Sequence, residues 1–336
     1  MPRLTRALVA FAPRKPLQDS VLQLPDVTPL DIVVRVLACG VCRTDVHIFK
    51  GELSPPSWPV VLGHQIVGEV VEVGNAVPPD RVGQRVGIPW VGSVCGACRY
   101  CTSGQENLCP NAQFTGFHRF GGFSQYVVAD SRFAFPLDAN TQPVMLAPLL
   151  CAGLIGYRAY QTAQPAKSLG LIGYGSAAHL IAQVAIAEGI AVSAFTRPGD
   201  TRGQQFARSQ GVVWAGSSDE APPEPLDAAI IFASSGELVP GALGWIRPGG
   251  RVVCAGIYLS DIPSFPYDLL SRERSIMSVS NLTRRDAEHF LPLAQKYHVT
   301  PKVTVVPLGQ ANEALGMIEA GAVDGSVVVV PEDEGG

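Results

Sequence analysis

Charge is scarce in this chain of 336 residues. Charged side chains make up 16% and hydrophobic ones 47%, the reverse of the balance that leaves a polypeptide disordered. A basic excess is missing too: the net charge is −4 and the pI about 5.9, which argues against a nucleic-acid partner. The N-terminal MPRLTRALVAFAPRK lacks a continuous apolar core followed by a small-residue cleavage site. The expected location is therefore the cytoplasm, where cysteines serve as metal ligands or core residues more often than as disulfides. No low-complexity tract or internal repeat is found; the 35 glycines and 28 prolines are scattered, as in a fold rich in turns. The apolar run from Leu169 to Phe195 is long enough to cross a bilayer. It is interrupted by glycines, His179, Gln183 and Glu188, however, and reads as strand, turn, helix, strand. No membrane partner is expected.

The length suggests two domains. Up to about residue 140, β-branched runs bounded by Gly and Pro (32–38, 66–74, 81–89) predict short strands in a compact, barrel-like β domain. The rhythm then changes. KSLGLIGYG (167–175) is a buried strand running into a glycine turn, 177–189 is helical, 190–196 a strand and 200–211 a helix. Further strands follow at 226–233 and 250–257. Such alternation predicts βαβ units and a doubly wound parallel sheet. From about 281 the chain is expected to return to the first domain with helices at 284–297 and 309–321, a strand around 303–306 and an edge strand SVVVV at 326–330.

Cys95, Cys98, Cys101 and Cys109 lie in VCGACRYCTSGQENLC. The C-x2-C-x2-C-x7-C spacing lets one short loop close four thiolates around a tetrahedral, structural zinc ion. Gly173-Tyr174-Gly175-Ser176-Ala177-Ala178 follows a predicted strand and opens a predicted helix. In that context G-x-G-x-x-A reads as a dinucleotide turn rather than plain packing. Gly173 permits the tight turn, Gly175 the approach of a pyrophosphate, Ala178 close packing, and the helix N-terminus faces the phosphates. The next strand ends Phe195-Thr196-Arg197. It lacks the carboxylate that commonly holds an NAD ribose. A hydroxyl and a guanidinium suit a 2′-phosphate, so NADP is expected before NAD.

With CGVCRTDVH (39–47), LGHQIVGEV (62–70) and LAPLLCAG (146–153) added in this order, the chain resembles the zinc-dependent alcohol dehydrogenases of the medium-chain dehydrogenase/reductase superfamily along essentially its whole length. The LCAG variant is most similar to the yeast and bacterial tetrameric branch. The resemblance implies an α/β fold with two domains. A GroES-like, β-barrel-type catalytic domain is expected at 1–147 and 281–336, and a Rossmann cofactor domain at 148–280. It implies two Zn²⁺ per chain, the second held by Cys42, His64 and Cys151 with a fourth position open. On the same resemblance Thr44 is expected to take the proton from the alcohol and His47 to pass it on. Asp45 orients His64, and Arg43 and Ile257 attend the cofactor. Leu53 and Trp90 are expected to face the substrate, and Cys39 and Cys254, which match no ligand position, to be buried structural thiols. A homo-oligomer follows, tetramer before dimer.

The implied activity is reversible hydride transfer between a primary or secondary alcohol, with its aldehyde or ketone, and NAD(P). An NADPH-dependent aldehyde reductase of the cinnamyl or aryl type is the alternative, and a non-enzymatic zinc- and nucleotide-binding module a more remote one. Three positions depart from the family pattern. Ile155 replaces a common Thr, Ser326 replaces a phosphate-contacting Arg, and Gln65 follows the His ligand where Glu is usual. Gln keeps the carbonyl oxygen but not the charge, which implies a more electrophilic zinc. A Gln65→Glu variant is expected to move the pH profile of turnover upward; superimposed profiles would refute this.

Overall fold

The computed structural model describes residues 4–332. The chain divides into two compact units, one of 1–151, 281–291 and 301–336, the other of 152–280 and 292–300. The change of unit after Cys151 falls four residues later than the expected boundary at 147, and 292–300 goes with the second unit rather than the first.

The first unit is built on a seven-stranded sheet. Its path runs Phe135–Pro136, Arg85–Ile88, Gln65–Val73, Asp31–Val41, Ser326–Val330 and Val303–Pro307, with Tyr126–Asp130 paired to Asp31–Val41. A three-stranded sheet joins Gln18–Gln23, Leu4–Ala10 and Val60–Val61. The strand SVVVV is not at the edge. It pairs antiparallel with Asp31–Val41 and parallel with Val303–Pro307, which is the edge strand instead. The physical sign was in the run itself: four valines without alternation suit a strand covered on both faces, and Val327, Val328 and Val329 are fully buried. Of the strand expected over 81–89 only Arg85–Ile88 forms. Pro79–Arg81 is a 3-10 turn, and Gly83 takes φ +85, so Pro and Gly stop the run.

The second unit has one six-stranded sheet in the order Trp214–Ser217, Ala191–Thr196, Ser168–Ile172, Leu226–Ile231, Ile246–Cys254, Ser275–Ser278, with every neighbouring pair parallel. Its order reverses at Ser168–Ile172, the first strand in sequence. That is the switch point at which open α/β sheets bind ligands beyond their strand C-termini. The apolar run 169–195 is consumed here as strand, helix Ser176–Ala187 and strand. Among the described residues no single helix is long and apolar enough to cross a membrane.

Candidate active site

Cys42 precedes the helix Arg43–Lys50 as its N-cap. Asp45, in the first turn, is fully buried and one carboxylate serves three groups. It accepts the Cys42 amide at 2.8 Å and the Gly63 amide at 3.1 Å, and it lies 3.2 Å from His64 Nδ1. The turn at Gly63 delivers His64. Gly63 takes φ +93, and a Cβ there would stand 2.6 Å from Phe123 and 2.7 Å from the Cys39 sulfur, so only glycine fits. Cys151 follows the buried 3-10 turn Ala147–Leu150. These three elements bring the Cys42 and Cys151 sulfurs to 3.9 Å and the ligand atoms of Cys42, His64 and Cys151 within 4.8 Å of one another.

The donor set fits a zinc ion. Tetrahedral thiolates at a Zn–S distance of ~2.3 Å lie about 3.8 Å apart, against 3.9 Å here. His64 is fully buried and its Nε2 has no hydrogen-bond partner among the described residues, a costly arrangement for a polar atom unless a ligand satisfies it. Burial opposes charge on the imidazole, but Asp45 and Cys42 outweigh it and push its pKa up to about 10. The Cys42 thiol is held well below its ordinary range, first by the hydrogen bond from Cys151 and then by His64, against burial. The local field thus favours a cation.

The second cluster fits equally. The sulfur pairs Cys98–Cys101 and Cys95–Cys109 stand at 3.6 Å and Cys95–Cys101 at 3.9 Å. All four ligand atoms lie within 4.8 Å of one another. Backbone amides of Ala97 and Cys98 aimed at the Cys95 sulfur, followed by Cys109, lower its pKa to about 6, which favours the ligating thiolate.

Around the first cluster, the Thr44 hydroxyl is buried and 3.7 Å from the Cys42 sulfur. His47, one turn further along the same helix, has its Nδ1 against the Glu52 carboxylate. Glu52 was not among the sequence candidates; its only signal is its place five residues after His47, just past the helix end. Arg43 donates to the Glu319 carbonyl at 3.2 Å. Trp90 meets the His64 ring edge-on, with centroids 4.9 Å apart. The half-buried Leu53 packs on the first unit's core, and its amide is held by the His47 carbonyl at 3.1 Å. Gln65 is buried, with its amide group against Gly40. Ser326 is buried in the sheet. Cys39 and Cys254 are buried and lie outside both clusters.

In the second unit, Gly173 takes φ +90 and a Cβ would sit 2.8 Å from the Ala233 amide, whereas Gly175 faces open space. The N-cap of the helix Ser176–Ala187 is Gly175, which has no side chain to cap it, and Ala178 is fully buried in its first turn. A helix start whose N-cap is an open glycine is a cradle for phosphate. Arg197 is exposed, but Thr196 is buried with its hydroxyl 3.4 Å from the Gly216 carbonyl. The carbonyls of Arg197 and Asp200 lie equally near, at 3.4 and 3.5 Å. Ile257 sits in the turn beyond Ile246–Cys254, and Ile155 is half-buried in the helix Ala152–Ala163.

The chain is 42% identical to the probable alcohol dehydrogenase AdhA of Mycobacterium tuberculosis over 324 residues, 94% of this chain and 93% of that protein. It belongs to the zinc-dependent alcohol dehydrogenases of the medium-chain dehydrogenase/reductase superfamily. The family described as alcohol dehydrogenase GroES-like domain matches residues 28–139. Among solved structures, a cinnamyl alcohol dehydrogenase of Sorghum bicolor superposes with a TM-score of 0.88 at 26% identity, covering 97% of each chain. The acetophenone reductase of Geotrichum candidum in complex with NAD gives 0.88 at 27% identity, covering 98% of each. The two units accordingly have the GroES-like and Rossmann folds of this superfamily, and the protein is an NAD(P)-dependent alcohol dehydrogenase.

Proposed function

We propose that Cys42, His64 and Cys151 hold the zinc of catalysis, and that Cys95, Cys98, Cys101 and Cys109 hold a second, structural zinc. The observation that carries the first assignment is the buried, unpartnered His64 Nε2 beside two sulfurs 3.9 Å apart. When bound, zinc supplies Lewis acidity toward the substrate oxygen and the nicotinamide accepts or returns the hydride. The chain's own residues supply orientation and proton handling. Asp45 accepts from Nδ1 of His64, which turns Nε2 toward the sulfurs. The Thr44 hydroxyl, 3.7 Å from the Cys42 sulfur, is placed to accept the proton an alcohol loses. His47, steadied by Glu52, takes it toward solvent. Gly173, Gly175 and Ala178 cradle the pyrophosphate, with Ile257 as a further cofactor contact.

The proposed substrates are primary and secondary alcohols, with their aldehydes and ketones, carrying an apolar tail of modest size bordered by Leu53 and Trp90. Arg197 supports NADP as the preferred cofactor; Thr196 supports it less, being tied to Gly216. A homotetramer is proposed from the resemblance of LCAG to the tetrameric branch. The cinnamyl- or aryl-type aldehyde reductase is a second reading, favoured by the aromatic surroundings of Trp90. One alcohol panel, run in both directions with NAD and NADP in parallel, tests the substrate and cofactor readings. A strict NAD preference would sink the reading of Arg197. Arg197→Ala is expected to raise KM for NADP about 10- to 100-fold, the worth of a charge-assisted hydrogen bond, and to leave KM for NAD almost unchanged.

A further inference from the structure

Four more rings stand in succession beyond His64. Trp90 is edge-on to it. Phe114 stacks on Trp90, with centroids 5.0 Å apart and planes inclined by 10°, and Phe117 lies 5.9 Å from the same indole. His118 ends the series, 5.4 Å from Phe114 and edge-on to Phe117 at 4.8 Å. The segment bearing the last three rings is bound closely to Trp90 and to itself. The Thr115 amide donates to the Trp90 carbonyl at 2.9 Å, and the amides of His118 and Arg119 both donate to the Phe114 carbonyl, at 2.9 and 3.1 Å. The Arg119 guanidinium anchors the segment on the buried Asp31 at 2.8 Å. The Phe114 amide is met by a side chain, donating to His118 Nδ1 at 3.1 Å. Both backbone groups of Phe114 are thereby fixed, one of them by His118.

An amide only donates, so Nδ1 is the acceptor and the ring proton lies on Nε2. Burial lowers the His118 pKa, which maintains that neutral form near pH 7.

We propose that His118 is a positioning residue. By accepting the Phe114 amide it holds Phe114 flat on Trp90, and so sets the preference of the site for alcohols bearing an aromatic ring over short aliphatic ones. The proposal rests on the reading of Cys42, His64 and Cys151 as the centre that takes the substrate oxygen. Stacking fixes the plane of the indole, and a preset flat surface receives a flat ring without the cost of ordering the wall first. A two-carbon alcohol gains nothing from that surface.

The test compares zinc-loaded wild type, His118→Leu and His118→Asn on benzyl alcohol and ethanol, with zinc content and Tm measured for each. The Asn Oδ1 occupies the position of Nδ1 and can still accept the amide; Leu cannot. His118→Leu is expected to raise KM for benzyl alcohol, relative to that for ethanol, about three- to tenfold, the worth of an aromatic pair, while kcat on ethanol holds. His118→Asn is expected to restore the ratio. An unchanged ratio in His118→Leu, or Leu and Asn variants that behave alike, overturns the positioning role. Wild type that carries zinc but oxidises neither alcohol overturns the functional reading beneath it, and the two failures are distinguishable.

Discussion

Cys151→Ser is expected to lower turnover on the order of 10³-fold, because Lewis-acid stabilisation of a reacting oxygen is worth several kcal/mol. The substitution removes one sulfur and little volume. Serine is not a thiolate ligand near neutral pH, so the cluster would keep Cys42 and His64 alone. Cys151 is half-buried after the turn Ala147–Leu150, and nothing in that turn depends on sulfur. Far-UV circular dichroism should match wild type, and elemental analysis should fall from two zinc ions per chain to one. The four-cysteine cluster serves as the internal control, since its ligands are untouched. A variant that keeps both ions and its full rate would remove the basis for assigning Cys42, His64 and Cys151 to catalysis.

The two clusters differ in how far they were readable from the chain. Cys95, Cys98, Cys101 and Cys109 span one short loop, so spacing alone brings their sulfurs within reach. Cys42, His64 and Cys151 come from three separated segments, and no spacing rule joins them. Only the order of surrounding motifs suggested the set, and the sheet register and the Gly63 turn supply the convergence. Local pattern also missed whole elements. The helix Ala152–Ala163 is interrupted by Gly153 and Gly156, yet Gly156 is required where Ile181 comes within 2.5 Å of a Cβ position. Leu4–Ala10 gave no strand signal among the basic residues around it. Glu52, Phe114 and His118 have no motif at all: each acquires its place through contacts with a few neighbours, such as His47 and Lys50 for Glu52 and Trp90 and His118 for Phe114. Thr196 shows what a position alone leaves open: its hydroxyl lies 3.4–3.5 Å from the carbonyls of Arg197, Asp200 and Gly216, which no sequence pattern announces.

The last expected effect concerns the loop between Cys101 and Cys109. Glu106 is buried, and its carboxylate accepts the Arg284 amide at 2.7 Å and the guanidinium at 3.0 and 2.8 Å. Arg284 opens the helix Arg284–Lys296, so the four-cysteine loop places an anion on a helix start, where the free amides and the dipole favour it. Glu106→Gln keeps shape and one acceptor but loses the charge. It is expected to cost about 2 kcal/mol, the range for hydrogen bonds to charged groups, discounted because the Arg284 side chain is 39% exposed. The pH dependence has a definite sign. Burial alone would raise the Glu106 pKa, but Arg284 outweighs it and holds the folded value below the ordinary 4.5. The stabilisation is then complete above the unfolded pKa and disappears as pH falls through the folded one. The Tm difference between wild type and Glu106→Gln should therefore be largest near neutral pH and close on acidification below that ordinary value. Chelation at neutral pH should shrink the same difference without protonating Glu106, since the loop that aims it is held by the four sulfurs. A Tm gap indifferent to chelator would separate the carboxylate's contribution from the metal lobe; a gap that collapses would show that one ion fixes both the loop and the helix it caps.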